Sequence, residues 1–236
     1  MLQLLRSLIF YICLVAAVVC LAPMALISML MPPLTRNRFL ARWSGFVIRM
    51  LTVICGVGFE VTGAENISES NGILLSKHQS AWETFALQII FPAQTWVLKR
   101  ELLWIPIFGW GLWAGGAIAI DRNAGKKALM QVIKEGQDRL DKGLWVVIFP
   151  EGTRKMPGER GKYNPGGAML AARSGYPVVP VAHNAGSFWN AKRFVIRRGT
   201  IRVMVGPVIE TAGRKTGEIN EETESWIEAR MAEMIG

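Results

Sequence analysis

One of the two histidines in the 236-residue chain stands where catalytic chemistry is expected. His78 follows an apolar strand candidate and directly precedes a helix candidate, the place where open α/β sheets bring functional residues together. Glu83 lies five residues further on, and a carboxylate that orients a histidine is a recurrent catalytic device. On one regular helix this spacing corresponds to roughly 140° of rotation. The two side chains can therefore meet only if His78 precedes the helix and Glu83 lies in its first turn.

Glu83 also has a purely structural interpretation. Residues 80–83 read Ser-Ala-Trp-Glu, which matches a capping box in which the glutamate accepts a hydrogen bond from the Ser80 amide. The spacing alone leaves both roles open.

A second candidate segment is Phe149–Arg154, with the letters Phe-Pro-Glu-Gly-Thr-Arg. It follows the most apolar strand candidate, which its proline ends, and its glycine permits an unusual turn. Arg154 offers a planar fork of donors for a phosphate group. Another cation, Lys99, comes at the end of a different strand candidate. Together these residues place a base and phosphate-binding cations after three different strands.

Other motifs are missing or lack their structural setting. The sequence has no GxxxxGK[ST] loop, no HExxH pair and no Cys/His cluster, so it predicts neither a metal site nor a bound cofactor. Gly109–Ala114 fits GxGxxA by letters, but it does not follow a clear strand, so we do not interpret it as a nucleotide site.

The elements that must position these residues alternate along the chain after Gly58. Short β-branched runs separated by helical segments predict an α/β fold with a largely parallel central sheet covered by helices. The predicted strands are Gly72–Ser76, Thr95–Leu98, Ala117–Ile120, Leu144–Phe149, Val178–Ala182, Arg193–Ile196 and Thr200–Val205. The predicted helices are Ala81–Ile90, Ala124–Asp141, Pro165–Ser174 and Glu218–Met234.

The N-terminal segment predicts a membrane anchor. The 29 residues Ser7–Thr35 carry no charge, and as a helix they would extend roughly 44 Å, more than the hydrocarbon core of a bilayer. A second apolar stretch, Phe46–Phe59, contains Arg49 and favours an interfacial or half-inserted helix. The cations that follow the first stretch outnumber those before it, which places the rest of the chain on the cytoplasmic side. We therefore expect an anchor over residues 1–58, embedded as one spanning helix or a two-helix motif, and a cytoplasmic-facing domain over residues 59–236.

Composition excludes several classes of protein. Hydrophobic residues make up 51% of the chain and its net charge is +9, a combination unlike that of a nucleic-acid binder or a disordered chain. Three cysteines do not make a disulfide scaffold. Residues 218–236 carry a net charge of −5, so the preceding 217 residues carry +14. Composition alone leaves two readings of this charge open, a solvated face or a surface for anionic head groups and phosphorylated substrates.

With these segments in place, the sequence resembles the 1-acylglycerol-3-phosphate acyltransferase (lysophosphatidate acyltransferase) family of glycerolipid acyltransferases. The resemblance runs from about Phe59 to Pro207 in four blocks. His78–Glu83 resembles the catalytic H-x4-D block, although this chain has Glu where the family usually has Asp. The other three blocks are Lys99–Leu102 with the following Pro106 and Gly109, Phe149–Arg154, and Val178–Val181.

The resemblance implies transfer of an acyl group from acyl-CoA or acyl carrier protein to the sn-2 hydroxyl of lysophosphatidic acid, giving phosphatidic acid in phospholipid biosynthesis. It implies no cofactor besides the thioester co-substrate, a location at a bacterial inner membrane, membrane lipids as partners, and no nucleic-acid partner. Two alternatives remain at this point. One is an acyltransferase for another lysolipid or for glycerol 3-phosphate, and the other is a non-catalytic protein that binds anionic lipids.

The resemblance also implies roles for individual residues. His78 would be the general base, and Glu83 would hold its imidazole ring. Arg154, with Lys99 and Arg122, would bind the acceptor phosphate. Gly152 and Thr153 would shape the turn. Glu151 would either orient Arg154 or reach the glycerol backbone.

Overall fold

A seven-stranded sheet organises the computed structural model, which describes residues 1–68 and 70–235. Its strands are β1 (Val57–Thr62), β2 (Ile73–Ser76), β3 (Gln94–Lys99), β4 (Ile118–Ile120), β5 (Trp145–Ile148), β6 (Val178–His183) and β7 (Gly199–Val205). They lie in the order β1-β7-β6-β2-β5-β3-β4. The five strands from β6 to β4 run parallel, β7 is antiparallel to β6, and β1 is parallel to β7. The predicted largely parallel sheet is confirmed.

Helices cover both faces of this sheet. They are α1 (Leu2–Ile27), α2 (Pro33–Cys55), α3 (Trp82–Ile90), α4 (Phe108–Ala114), α5 (Lys126–Asp141), α6 (Gly166–Ser174) and α7 (Thr216–Ile235). Side chains of β2 alternate between two cores: Leu74 packs in the core that contains Trp82 of α3, whereas Leu75 packs in the core that contains Val132 of α5. A strand with both faces covered must be apolar throughout, which explains the unbroken apolar run before His78.

The first two helices form a hairpin that packs on the α/β unit. Pro32 lies before α2, and Pro33 occupies its first turn, where the missing N–H costs no helical hydrogen bond. The helix ends at Gly56, whose φ of +69° is the left-handed conformation common at helix C-termini. Helix α1 packs against α2, and α2 packs against α3, so the hairpin lies directly beside the helix that carries Glu83.

Helix α1 is mostly exposed and is long and apolar enough to cross a membrane, by length and composition. It is nevertheless attached to the rest of the chain near both of its ends. Near its N-terminus, Ser7 Oγ accepts a hydrogen bond from the Ile196 amide at 2.9 Å, and Phe10 is buried against the Trp189 ring. Near its C-terminus, Ala25 packs in a small cluster with Ala114 of α4. The helix therefore lies along the α/β unit.

One prediction of the organisation, the strand at residues 193–196, is wrong. Residues 193–196 form an irregular segment. Phe194 packs on Tyr11 of α1 and Ile196 packs in the core, so the apolar residues of this segment are explained by these contacts and not by a strand. The apolar stretch Phe46–Phe59 is the second half of α2 followed by the start of β1, and the apolar side chains Val47, Ile48 and Leu51 are buried in the protein core. The boundary expected after residue 58 therefore falls inside β1.

Candidate active site

The predicted site residues follow four adjacent parallel strands at one edge of the sheet. His78 comes after β2, Glu151–Arg154 after β5, Lys99 ends β3, and Arg122 comes after β4. These strands are neighbours in the order β2-β5-β3-β4. Because adjacent strands lie about 4.8 Å apart, the four strand ends extend over roughly 14 Å. The base and the cations therefore line one edge of the sheet, in the order of the strands.

His78 and Glu83 are in direct contact. Helix α3 begins at Trp82, so His78 precedes the helix and Glu83 lies in its first turn, the one arrangement in which this spacing lets them meet. The distance from His78 Nδ1 to Glu83 Oε1 is 2.8 Å. An ionised carboxylate can only accept hydrogen bonds, so this contact assigns the proton to Nδ1 and leaves Nε2 as the acceptor nitrogen.

The same Glu83 oxygen also caps the helix. It accepts hydrogen bonds from the Ser80 amide at 2.8 Å and from the Gln79 amide at 3.0 Å. Burial alone would raise the pKa of this fully buried carboxyl, but the hydrogen bond from His78, the electrostatic influence of His183 and His78 and the hydrogen bond from the Ser80 amide together lower its pKa below the usual value. The capping role and the orienting role, which the spacing left open, are compatible in the structure.

The ring and backbone of His78 are fixed by the segment after β5. The imidazole stacks on the Phe149 ring with a centroid distance of 3.9 Å and an interplanar angle of 13°. The His78 amide donates to Glu151 Oε2 at 3.0 Å, and its carbonyl accepts from the Lys155 amide at 2.8 Å. These contacts, made by residues 149–155, hold the histidine in one orientation.

Arg154 and Gly152 link the remaining loops. Arg154 Nε donates to the Ser80 carbonyl at 3.0 Å, while its side chain is largely exposed, as is that of Thr153. No carboxylate of residues 1–68 or 70–235 lies within ion-pair distance of the Arg154 guanidinium, so its other N–H groups are free to bind an anion. Gly152 turns the chain with φ of +67°, and its carbonyl accepts from the Arg122 guanidinium. Arg122 is thus tied directly to the Gly152 turn.

Lys99 and Glu151 have partners that the sequence did not indicate. Lys99 Nζ lies 3.3 Å from Glu101 Oε1 within its own segment, and nearly half of its side chain is exposed. Glu151 is buried, and its two oxygens face the His78 amide and the Lys77 ammonium group. The expectation that Glu151 orients Arg154 or reaches a glycerol backbone does not agree with these contacts, because its carboxylate is directed into the protein.

Sequence reasoning missed a buried ionic cluster beneath His78. Lys77 is 1% exposed, and its Nζ lies 2.8 Å from both Glu151 Oε1 and Glu228 Oε1. The Tyr163 hydroxyl donates to the same Glu228 oxygen at 2.8 Å. Burial, together with the negative charge of Glu228, raises the pKa of the Glu151 carboxyl against the opposing effect of Lys77. The cluster connects α7 to the backbone of the candidate base.

The second histidine is a structural neighbour of this pair. His183 is fully buried at the end of β6, and its Nε2 lies 2.9 Å from the Lys77 carbonyl and 4.0 Å from Glu83 Oε2. Because a carbonyl only accepts, Nε2 carries the proton, and burial lowers the pKa of the ring, which favours its neutral form. Within the described part of the chain, no group of three or more His, Cys, Asp and Glu side chains could hold a metal ion.

Comparisons with known proteins agree with this architecture. A family model described as Acyltransferase matches residues 58–184. The chain is 43% identical to a 1-acyl-sn-glycerol-3-phosphate acyltransferase of Pseudomonas aeruginosa, over 98% of this chain and 92% of that protein. It is 29% identical to the human 1-acyl-sn-glycerol-3-phosphate acyltransferase beta, over 74% of this chain and 64% of that protein. The crystal structure of the 1-acyl-sn-glycerophosphate (LPA) acyltransferase PlsC of Thermotoga maritima has the same fold, with a TM-score of 0.83, 20% identity, and coverage of 98% of this chain and 95% of that chain.

Proposed function

We propose the following reaction for this chain, which belongs to the 1-acyl-sn-glycerol-3-phosphate acyltransferase family. It moves a fatty acyl group from an acyl thioester to the sn-2 hydroxyl of 1-acyl-sn-glycerol 3-phosphate and so forms phosphatidic acid for phospholipid biosynthesis. The near end-to-end match to the Pseudomonas acyltransferase supports this reaction. The observation that carries the proposal is the contact between His78 and the buried Glu83, placed beside the free N–H groups of Arg154.

In the proposed mechanism His78 acts as the general base. Its Nε2 removes the proton of the acceptor hydroxyl while the hydroxyl oxygen attacks the thioester carbonyl carbon. The tetrahedral intermediate collapses with cleavage of the carbon–sulfur bond, and the imidazolium returns its proton to the departing thiolate. Glu83 holds the ring in the required tautomer and stabilises its positive charge. No covalent acyl-enzyme is needed.

The acceptor phosphate would bind to cations at the same sheet edge. Arg154 is the strongest candidate, because its Nε bond to the Ser80 carbonyl fixes the guanidinium while its other N–H groups face outward. A guanidinium matches the geometry of a phosphate group with two parallel hydrogen bonds. Lys99 and Arg122, on the two next strands, would add positive charge, and the turn at Gly152 and Thr153 would set the distance from the phosphate to the reacting hydroxyl.

The setting of the proposed reaction is a membrane surface. Helix α1 supports membrane association through its length and exposed apolar side chains. We propose that residues 1–58 act as the membrane anchor, with α1 as its membrane-embedded helix, and that the rest of the chain faces the cytoplasm, where acyl-CoA and acyl carrier protein are available as donors. Neither donor requires a further cofactor in this scheme.

The reaction is tested by incubating purified enzyme in phospholipid vesicles with lysophosphatidate and an acyl thioester, and by measuring free thiol and phosphatidic acid. Acyl-CoA and acyl carrier protein are compared as donors, and glycerol 3-phosphate and a phosphate-diester lysolipid as acceptors. Wild-type protein should form phosphatidic acid. Absence of product with both donors, or faster transfer to either alternative acceptor, would contradict the proposed substrate.

The role of His78 is tested with His78→Ala. General base catalysis contributes about 10²–10⁴-fold, so turnover should fall by at least about a hundredfold while the thermal unfolding midpoint stays near that of the wild type. Met130→Ser, a change at an exposed residue on α5, serves as the control for purification and reconstitution. Turnover of His78→Ala within a few-fold of this control would show that another group removes the proton.

A further inference from the structure

Three tryptophans are unusually exposed in the short segment that follows Lys99. Trp104 is 68% exposed, Trp110 is 46% exposed and Trp113 is 58% exposed. Trp110 and Trp113 are three residues apart on α4, so they share one side of that helix, and Trp104 ends the turn against which α4 packs. We call these three side chains the tryptophan face. Several large apolar side chains exposed within one short segment are typical of an interaction site.

The backbone holds this face in place through a strained turn. Ile107 has φ of +70° and ψ of −56°, and the Phe108 amide donates a hydrogen bond to the Pro106 carbonyl at 2.7 Å. These dihedral angles and this hydrogen bond define a γ-turn of the rare positive-φ kind. A β-branched residue in this conformation is strained and persists only where the surroundings enforce it. At Gly109 a Cβ atom would lie 2.1 Å from the Leu103 carbonyl oxygen, so α4 packs tightly on the preceding turn. The exposed tryptophans therefore lie on a tightly packed turn and helix.

The helix that carries two of these tryptophans packs directly against α1. Ala114, the last residue of α4, is buried with Ala25 of α1, and the neighbouring α1 side chains Met24 and Ile27 are exposed. The face therefore begins where the candidate membrane helix ends. Cations lie next to the face at both ends: Arg100 packs over the Trp104 ring, with its guanidinium carbon 5.9 Å from the ring centroid, and the side chains of Arg36 and Arg139 lie close to Gly116, just after α4.

An apolar helix beside exposed tryptophans and cations is the combination found at a membrane surface. Tryptophan is enriched at the level of the head groups, where its ring is partly in the acyl region and its N–H remains close to water. Lys and Arg side chains next to an apolar surface keep their charges among the phosphates. A surface that joins a second protein copy would not need cations on both sides of exposed tryptophans.

We propose that residues 102–113 form a second membrane-contact element, separate from the N-terminal hairpin, and that its occupant is the lipid head-group region. The element begins three residues after Lys99 at the end of β3, so it brings the proposed phosphate-binding edge of the sheet to the bilayer surface. A lysolipid acceptor would then reach the site from the membrane without crossing water. This last consequence rests on the proposed function, whereas the membrane contact itself does not.

The contact is tested with an environment-sensitive NBD fluorophore on single cysteines in a full chain whose three native cysteines are replaced by alanine. Position 113 reports on the tryptophan face, position 12 on the exposed surface of α1, and position 130 on the exposed surface of α5. With vesicles of phosphatidylcholine and phosphatidylglycerol, emission from positions 113 and 12 should shift to the blue and rise several-fold. Lipids brominated on their acyl chains should quench both probes, and the probe at position 130 should not respond.

An unchanged probe at position 113 would overturn the proposal, whether or not position 12 responds. Shielding of position 113 in detergent that grows with protein concentration would identify a second copy as the occupant and would also overturn it. As an independent readout, the variant with Trp104, Trp110 and Trp113 all changed to Ser should raise the apparent KM for vesicle-bound lysophosphatidate by about tenfold or more. It should leave the KM for the thioester donor unchanged, and Met130→Ser should alter neither constant.

Discussion

Replacing Glu83 by Gln separates the two functions that its carboxylate combines. The substitution keeps the size of the side chain and removes the negative charge that faces His78. In the proposed transition state the imidazole becomes positively charged, and the 2.8 Å contact places the centres of the two charged groups roughly 4 Å apart. At an effective dielectric constant of about 20 the lost attraction is about 4 kcal/mol. Turnover should therefore fall by about 10³-fold.

The cost to stability should be much smaller. The amide oxygen of Gln can still accept from the Ser80 and Gln79 amides, so each hydrogen bond loses only its charge assistance, about 1 kcal/mol. A total of about 2 kcal/mol corresponds to a decrease of roughly 4–8 °C in the unfolding midpoint for a protein of this size. The assay pairs thiol release under saturating substrates with thermal unfolding of the same preparations.

Ser80→Ala is the matched control for the helix cap. The Ser80 hydroxyl accepts from the Trp82 amide at 3.0 Å and donates to the Trp189 carbonyl at 2.5 Å. Its loss therefore removes two hydrogen bonds of about 1 kcal/mol each without changing the charge beside His78. Turnover of this control should remain within a few-fold of the wild type. If Glu83→Gln also kept turnover within about fivefold while losing stability, Glu83 would be only a cap, and its assignment as the orienting residue would be wrong.

Three other substitutions or conditions test separate parts of the site. Arg154→Ala should raise the KM for lysophosphatidate by about tenfold to a hundredfold, because a charge-assisted hydrogen bond contributes roughly 1.5–3 kcal/mol. An equal rise in the KM for the thioester donor would contradict the assignment of Arg154 to the acceptor phosphate. Lys77→Met leaves two buried carboxylates unpaired and should cost about 3–5 kcal/mol of folding stability, which lowers the unfolding midpoint by roughly 6–20 °C. Adding Glu228→Gln to this variant should recover part of the lost stability. A midpoint of Lys77→Met equal to that of the wild type would refute the ionic cluster. As the pH falls below the ordinary Glu pKa of about 4.5, the free energy of unfolding should decrease more steeply for the wild type than for Glu83→Gln. The reason is that the pKa of Glu83 is lowered in the folded state, so the unfolded chain takes up the proton first. Parallel urea titrations of both proteins at falling pH measure this difference, and parallel curves would contradict it.

The parts of the site that depend on local sequence were predictable. The alternation of strands and helices fixes which residues follow parallel strands, and the spacing of His78 and Glu83 allows contact only across a helix start. Both expectations are confirmed, because α3 begins at Trp82. The resemblance to a known family added the reaction, which strand ends and spacing alone do not specify.

Partners that meet only through tertiary packing were not predictable. Lys77 pairs with Glu228, which lies 151 residues further along the chain on α7, where its charge reads as part of an acidic surface helix. Glu151 likewise appeared to be a substrate residue, since nothing local shows that its carboxylate is directed toward Lys77. In the same way, the strand predicted at residues 193–196 was wrong because its apolar pattern serves packing against α1.

The position of the Glu83 charge is set by the packing of α3 as much as by the residues of the site. A buried carboxylate is costly unless donors surround it, and two of its three donors on Oε1 are backbone amides at the helix start. Those amides are placed by the buried face of α3, where Trp82, Ala86 and Leu87 pack in the core. A mutation in this core that rotates α3 would therefore move the carboxylate away from His78 Nδ1 without touching either residue. The proposed catalytic geometry is in this sense a consequence of hydrophobic packing, because the packing of α3 brings the Glu83 carboxylate to His78 Nδ1.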